Sequence, residues 1–232
     1  MHKLAVIIPA AGSGSRMQKE TPKPFLQLGD ATILEHTMRR FSGLDCLSEV
    51  VIAAPDALRE RAFDMIRPLL AKNVELHGVK GGRERQDSIY NALRQVGKAD
   101  LVAVHDAVRP FVRPKHIVQC CDVAEQWGGA VLGVRAKDTI KRTNEQGIIV
   151  ETPDRSYLWQ AQTPQIFRRD ILLDAYEKAH REGFIGTDDA SLVERAGHKV
   201  KMVLGSRDNF KITYPFDLKV ARMKINETEM RA

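Results

Sequence analysis

The stretch Leu4-Ala5-Val6-Ile7-Ile8-Pro9-Ala10-Ala11-Gly12-Ser13-Gly14-Ser15-Arg16-Met17 decides the fold. An apolar run of strand length stops at Pro9 and gives way to a loop of Ala, Gly and Ser. A short buried strand feeding a small-residue loop is how an α/β domain brings backbone N–H groups against phosphates. The dinucleotide pattern G-x-G-x-x-G is met by Gly12 and Gly14, but Met17 holds its third slot. The Walker pattern fails as well, because nothing after Gly12 supplies its Gly-Lys pair. The loop carries Arg16 instead and runs on into Thr21-Pro22-Lys23-Pro24-Phe25. Fixed cations so close to a phosphate-cradling loop suit charge neutralisation at phosphorus better than hydride transfer.

Downstream, helical and strand patterns alternate. Ile33, Leu34, Thr37, Met38 and Phe41 predict a helix over 32–42, and Glu49 to Ala54 reads as a strand. Residues 57–70 predict a helix whose last turn Pro68 disturbs, followed by a strand over 74–79 that ends at Lys80-Gly81-Gly82. Ile89, Ala92, Leu93 and Val96 mark another helix, and 101–105 another strand. Such alternation implies βαβ units and a mostly parallel sheet, whose ligands gather outside the carboxyl ends of the strands. Three strand-to-helix turns therefore matter: 10–16, 81–88 and 106–110. Gly81-Gly82 is either a turn needing positive φ, the commoner use, or a place where backbone closely approaches a flat ring. Asp106 is either the cap of a following helix or a carboxylate for a metal ion or a ribose.

With 232 residues, 43% of them apolar and 28% charged, the chain suits one large α/β domain with a sizeable core. The net charge of +6 is compatible with anionic ligands. Basic residues are mixed with acidic ones, as in Arg83-Glu84-Arg85, and no basic tract with interleaved aromatics argues for nucleic acid. Cys46, Cys120 and Cys121 form neither a disulfide framework nor a zinc pattern, which points to a reducing cytoplasm. Cys120 and Cys121 receive no function. The seven histidines share no metal-ligand spacing, and no stretch reads as a signal peptide or a membrane span.

Between Val134 and Phe167 the rhythm changes. Short strands are predicted over 137–142, 147–152 and 158–162, with Asn144 to Gly147 turning the first into the second. A polar hairpin this long buries little against its own sheet and is marginal alone, so an arm at about 135–162 is expected to pack on a second copy. Farther on, helices are expected over 169–181, from Gly186-Thr187-Asp188-Asp189 to about Ala196, and over 215–229 behind Pro215, with a strand over 199–204. Thr187 and the two acids fit a cap and first turn better than a site.

The motifs occur in a telling order. P-A-A-G-x-G-x-R-M with a following P-K, G-G-x-x-R-x-x-S, H-D-A-x-R-P, D-T-I-K, D-R-x-x-L-W-x-A-x-T-P-Q, T-D-D-A-S and N-x-K-I-T span Pro9 to Thr213. Together they resemble the 2-C-methyl-D-erythritol 4-phosphate cytidylyltransferases of the non-mevalonate isoprenoid pathway. That resemblance implies a single Rossmann-like nucleotidyltransferase domain over 1–232, with helices on both faces of the sheet and a protruding β-hairpin arm that makes a homodimer. It implies cytidylyl transfer from CTP to a sugar-alcohol phosphate, with Mg²⁺ and release of pyrophosphate. Arg16, Lys23 and Lys211 would be catalytic, Lys211 also bridging to the acceptor phosphate. Ala10, Ala11, Gly12, Gly82 and Ser88 would hold the nucleotide, with Asp106 near its ribose or its metal. Arg109, Thr139, Arg155 and Thr163 would bind the acceptor, Thr139 and Arg155 reaching into the partner's site. Two positions depart from the family pattern: Pro24 stands where Gln is frequent, and Arg83 where some members carry an acid.

The chemistry agrees with these residue types. A phosphate monoester is mostly a dianion at neutral pH, its second pKa being about 6, so the acceptor needs no general base. The barrier is electrostatic, and fixed cations beside the α-phosphorus lower it. A ribitol 5-phosphate cytidylyltransferase is the nearest alternative. An NAD-dependent oxidoreductase and a non-catalytic nucleotide or RNA binder are more distant ones.

Overall fold

The computed structural model describes residues 2–12 and 21–229. The opening strand β1 (Leu4–Pro9) lies inside a seven-stranded sheet. Leu4, Val6 and Ile8 pack into one core cluster while Ala5 and Ile7 pack into another. That is the period-two alternation of a strand buried on both faces, and it explains the unbroken apolar run.

Residues 27–28 (β2) and 31–32 (β3) form a small hairpin before α1 (Ile33–Met38). The predicted helix over 32–42 is shorter than its apolar spacing suggests. Thr32 and Glu35 cap α1 reciprocally, and the chain leaves it in turns that still bury Phe41. The strand β4 (Leu47–Ala54) pairs in parallel with β1, and β5 (Glu75–Lys80) with β4. Between them α2 (Asp56–Ile66) gives way to a 3-10 turn at Arg67–Leu69 that contains Pro68. The helix α3 (Arg85–Leu93) leads to β6 (Leu101–Val104), parallel to β1 on its other side.

Residues 110–134, to which periodicity assigns nothing, hold α4 (Pro114–Trp127) and β7 (Gly129–Arg135). Pro114 opens this helix and Gly128, at φ 89°, closes it, so start and stop signals were both present. The strand predicted over 158–162 is the first part of β10 (Trp159–Arg168), which runs antiparallel between β6 and β7. Pro164 masks its continuation. The register shifts between Ala161 and Gln165, so the missing N–H falls at an irregularity instead of in the ladder.

After β10 come α5 (Arg169–Glu182), α6 (Asp189–Arg195) and β11 (Lys201–Leu204), and the last strand pairs in parallel with β7. Strand order is β11-β7-β10-β6-β1-β4-β5. The sheet is mostly parallel, as expected, with β10 its antiparallel member. Buried residues of α1, α2 and α4 cover one face, and those of α3, α5 and α6 the other. The C-terminal helix α7 (Pro215–Glu229) joins Leu26, Leu28, Ile33, Phe111 and Ile212 in a third cluster.

The arm differs from its expectation. No strand forms over 137–141, and pairing is confined to β8 (Arg142–Thr143) and β9 (Ile149–Glu151). The turn between them is as read: Asn144 Oδ1 accepts from the N–H groups of Gln146 and Ile148, and Gly147 has φ 81°. Both strands are exposed along their whole length, so packing within the chain adds nothing to extend the ladder. Among the described residues, no helix is long and apolar enough to cross a membrane.

Candidate active site

The carboxyl ends of β1, β5 and β6 converge on a cleft of about 290 Å³. Its wall includes Ala10, Ala11 and Gly12 after β1, Gly82 to Arg85 and Ser88 around the start of α3, and Asp106 to Val108 after β6. Lys23, Pro24 and Lys211 complete it. Of the expected site residues, this gathers Ala10, Ala11, Gly12, Lys23, Gly82, Ser88, Asp106 and Lys211. Arg16 lies outside the described residues.

The glycine turn is built by close approach. A Cβ on Gly81 would stand 2.3 Å from Ala11 Cβ, and one on Gly82 would stand 2.2 Å from Asp87 Cβ. Neither glycine is among those with positive φ, so the commoner reading of this pair is corrected: backbone crowding requires them. Ser88 is buried and acts inside the turn, its Oγ accepting from Gly82 N–H at 2.9 Å and donating to Glu84 O at 3.1 Å. Ala10 N–H is committed to Ala53 O at 2.7 Å, whereas a Cβ on Gly12 would meet none of the described residues within 4 Å.

Asp106 is not a helix cap. The chain turns after it, and the next helix, α4, begins only at Pro114. Its buried carboxylate is a hub for cations: Arg109 Nε and Lys211 Nζ each lie 3.1 Å from Oδ2, and Arg85 Nε lies 3.5 Å from Oδ1. Burial alone would push this carboxyl up. Lys211, then Arg85 and Arg109, outweigh that and hold it well below the usual carboxylate range. Arg109 also donates from Nη1 to Asn209 O at 2.8 Å, so both ends of its guanidinium are engaged behind the cleft.

Thr163 stands behind Asp106 and is buried. Its Oγ1 accepts from Asp106 N–H at 3.0 Å and lies 3.0 Å from His105 Nδ1. His105 Nε2 lies 3.1 Å from Arg109 O. The neutral tautomer with its proton on Nε2 satisfies all three contacts, and burial holds this imidazole down to about 4. Thr139 and Arg155 are exposed on the arm and do not line the cleft, and Arg155 Nη1 donates to Lys137 O at 3.1 Å.

Arg85 and Asp189 are further members of this constellation. Arg85 forks onto the buried Asp189 carboxylate at 3.2 and 2.9 Å while its Nε faces Asp106. Burial works against the Arg85 charge, and Asp189 with Asp106 more than restores it. Asp188 is the residue that caps α6, accepting from Ser191 N–H at 3.0 Å, and Asp189 turns inward. The signal for Arg85 was its place in the G-G-x-x-R-x-x-S spacing. For Asp189 it was the second acid, which a cap does not need.

Residues 4–227 match the family model for 2-C-methyl-D-erythritol 4-phosphate cytidylyltransferase. The chain belongs to that family. A relative of that name from Symbiobacterium thermophilum is 43% identical over 97% of this chain and 93% of its own length. One from Bacillus velezensis is 45% identical over 92% of this chain and 91% of its own. Among solved structures, the 4-diphosphocytidyl-2C-methyl-D-erythritol synthase of Anaerococcus prevotii superposes with a TM-score of 0.86 at 28% identity, covering 97% of this chain and 96% of that one. The Thermus thermophilus cytidylyltransferase superposes at 0.78 with 32% identity, covering 97% and 99%. This chain is thus a nucleotidyltransferase, a CTP-dependent cytidylyltransferase of isoprenoid biosynthesis, with the α/β fold of its family.

Proposed function

We propose that the cleft binds CTP and that 2-C-methyl-D-erythritol 4-phosphate attacks its α-phosphorus in line, releasing pyrophosphate. The observation that carries this reading is one cleft at the strand ends with Lys23 and Lys211 on its wall and Arg85 beside them. Ala11, Gly12 and the Gly82 turn would receive the nucleotide, with Asp106 toward its ribose. Lys23 and Arg16 would stabilise charge developing at phosphorus, and Lys211 would join triphosphate and acceptor phosphate. The acceptor dianion brings its own nucleophile, so no side chain needs to take a proton.

Mg²⁺, held mainly by the triphosphate, would neutralise phosphate charge. Among the described residues no three His, Cys, Asp or Glu side chains cluster as a metal site. Asp106 is the fitting protein ligand: a hard carboxylate oxygen on the cleft wall, kept ionised by Lys211. A divalent ion there would take over the partner that Lys211 gives up for phosphate.

Thr139 and Arg155, which do not line their own cleft, fit acceptor contacts in the partner's site. The homodimer would form through the arm, whose Ile148, Ile149, Val150 and Tyr157 are exposed. Arg109 and Thr163 would serve the acceptor chiefly by fixing Asp106. Free Cys46, Cys120 and Cys121 suit the cytoplasm.

The test is pyrophosphate release from CTP and Mg²⁺ with methylerythritol phosphate or ribitol phosphate as acceptor. Release with the first alone is expected. Release with ribitol phosphate alone would overturn the acceptor, and release with neither would overturn the catalytic reading.

A further inference from the structure

The first turn of α7 lies outside the cleft wall, yet a short chain of contacts joins it to Lys23. Asp217 Oδ2 accepts from the backbone N–H groups of Thr213 and Tyr214, each at 2.8 Å. Lys23 Nζ donates to Thr213 O at 2.8 Å. Thr213 C=O and Tyr214 N–H belong to one peptide plane and point in opposite directions across it. A carboxylate that draws Tyr214 N–H toward α7 therefore turns Thr213 C=O away from α7, to the side on which Lys23 receives it. The segment is pinned at its other end as well, with Ile212 N–H donating to Val108 O at 3.0 Å and the Ile212 side chain fully buried. Thr213 Oγ1 reaches back to Lys211 O at 3.3 Å.

We propose that Asp217 is a positioning residue for the reaction: it orients the Thr213 carbonyl that places the Lys23 ammonium at the cleft. The proposal rests on the reading of Lys23 as a cation that stabilises the transition state. A lysine ammonium on a flexible four-carbon stem has no geometry of its own, and small misplacements of a catalytic group cost large factors in rate. The carboxylate suits the task because charge-assisted bonds to backbone N–H groups are strong, and an acid in the first turn of a helix is favoured by the helix dipole. The competing role is a plain helix-start contact that stabilises α7 and is indifferent to Lys23.

A double-mutant cycle separates the two, with pyrophosphate release measured for Asp217→Ala, Lys23→Ala and the combination. Asp217→Ala is expected to lower kcat by about tenfold or more, with the KM for CTP moving by less than about threefold. On the Lys23→Ala background it is expected to lower kcat by less than about twofold, because its effect has already been removed. Asp217→Asn, whose Oδ1 still accepts from both N–H groups, should retain turnover within about threefold. Equal losses in both backgrounds, or normal turnover in Asp217→Ala, would overturn the proposal while leaving Lys23 in its role. Normal turnover in Lys23→Ala would overturn the reading of Lys23 and the proposal with it. Circular dichroism melts accompany each variant, and Asp217→Ser replaces Asp217→Ala in the cycle if the alanine variant does not fold.

Discussion

His105 supports the Asp106 loop from behind, and it does so as a neutral ring. Its unfolded pKa is near 6.5 and burial holds the folded value to about 4, so on acidification the unfolded chain takes up a proton that the folded chain refuses. The sign follows directly: stability is intact above about pH 6.5 and falls as pH drops toward 4. The Asp106 carboxylate adds a loss only below its unfolded value of 3.8, since its folded pKa is depressed. Urea denaturation should show the wild type losing on the order of 2 kcal/mol between pH 7.5 and pH 5 from this source. His105→Asn should lose much less, and an equal loss in that variant would place the effect elsewhere. For the cations, Arg16→Ala and Lys23→Ala should each lower turnover by roughly 10²-fold, measured as pyrophosphate release. Near-normal rates would remove them from the transition state. At this scale the candidate residues were legible where a motif named them. The Asp106 network was not, because Arg85, Arg109, Asp189 and Lys211 meet only once β6, α3, α6 and the 209–214 loop are assembled.

Turns and caps decide the site at the scale of elements. Gly12 and Gly81 lie in two neighbouring strand-end turns and answer different needs. A Cβ on Gly81 collides with Ala11, whereas one on Gly12 meets none of the described residues. Gly81→Ala should therefore destabilise the fold by about 1–3 kcal/mol through overpacking. Gly12→Ala should keep the wild-type melting temperature and still weaken CTP, because the added methyl meets none of the described residues and would meet a bound phosphate. Thermal melts with and without CTP-Mg²⁺ check both, and a Gly12→Ala protein that gains full stabilisation from CTP would remove Gly12 from the site. Element type was readable where apolar spacing was long and punctuated: β1, β4, α2 with its Pro68 ending, and α7 behind Pro215. It failed at Pro164, where an irregular register accommodates a proline inside β10, and over 137–141, where local polarity offered a strand that nothing packs against.

The arm raises a question only the assembled molecule can answer. Ile148 and Ile149 are 63% and 56% exposed and Tyr157 is 82% exposed, which a second copy would cover. If Arg155 serves the partner's site, mixing inactive Lys23→Ala and Arg155→Ala proteins and letting subunits exchange should restore roughly a quarter of wild-type turnover. Half of the dimers would be mixed, and one of the two sites in each would be intact. No recovery, with mixed dimers isolated by sequential purification on two different subunit tags, would assign Arg155 to its own subunit. Ile149→Asp should shift the protein toward monomer in sedimentation.

What the sequence determined by itself was the central strand, the βαβ alternation and the positions of the strand-end turns, because each rests on local spacing along the chain, and the family, through the resemblance carried by an ordered set of motifs. Only the tertiary structure decided that Gly81-Gly82 is set by crowding, that Ser88, Arg109 and Thr163 support the site from within, and that Asp106 shares its charge with three cations. Most of those properties depend on contacts between segments far apart in the chain, as with Arg109 and Asn209, 100 residues apart, and only the closed sheet brings such partners together.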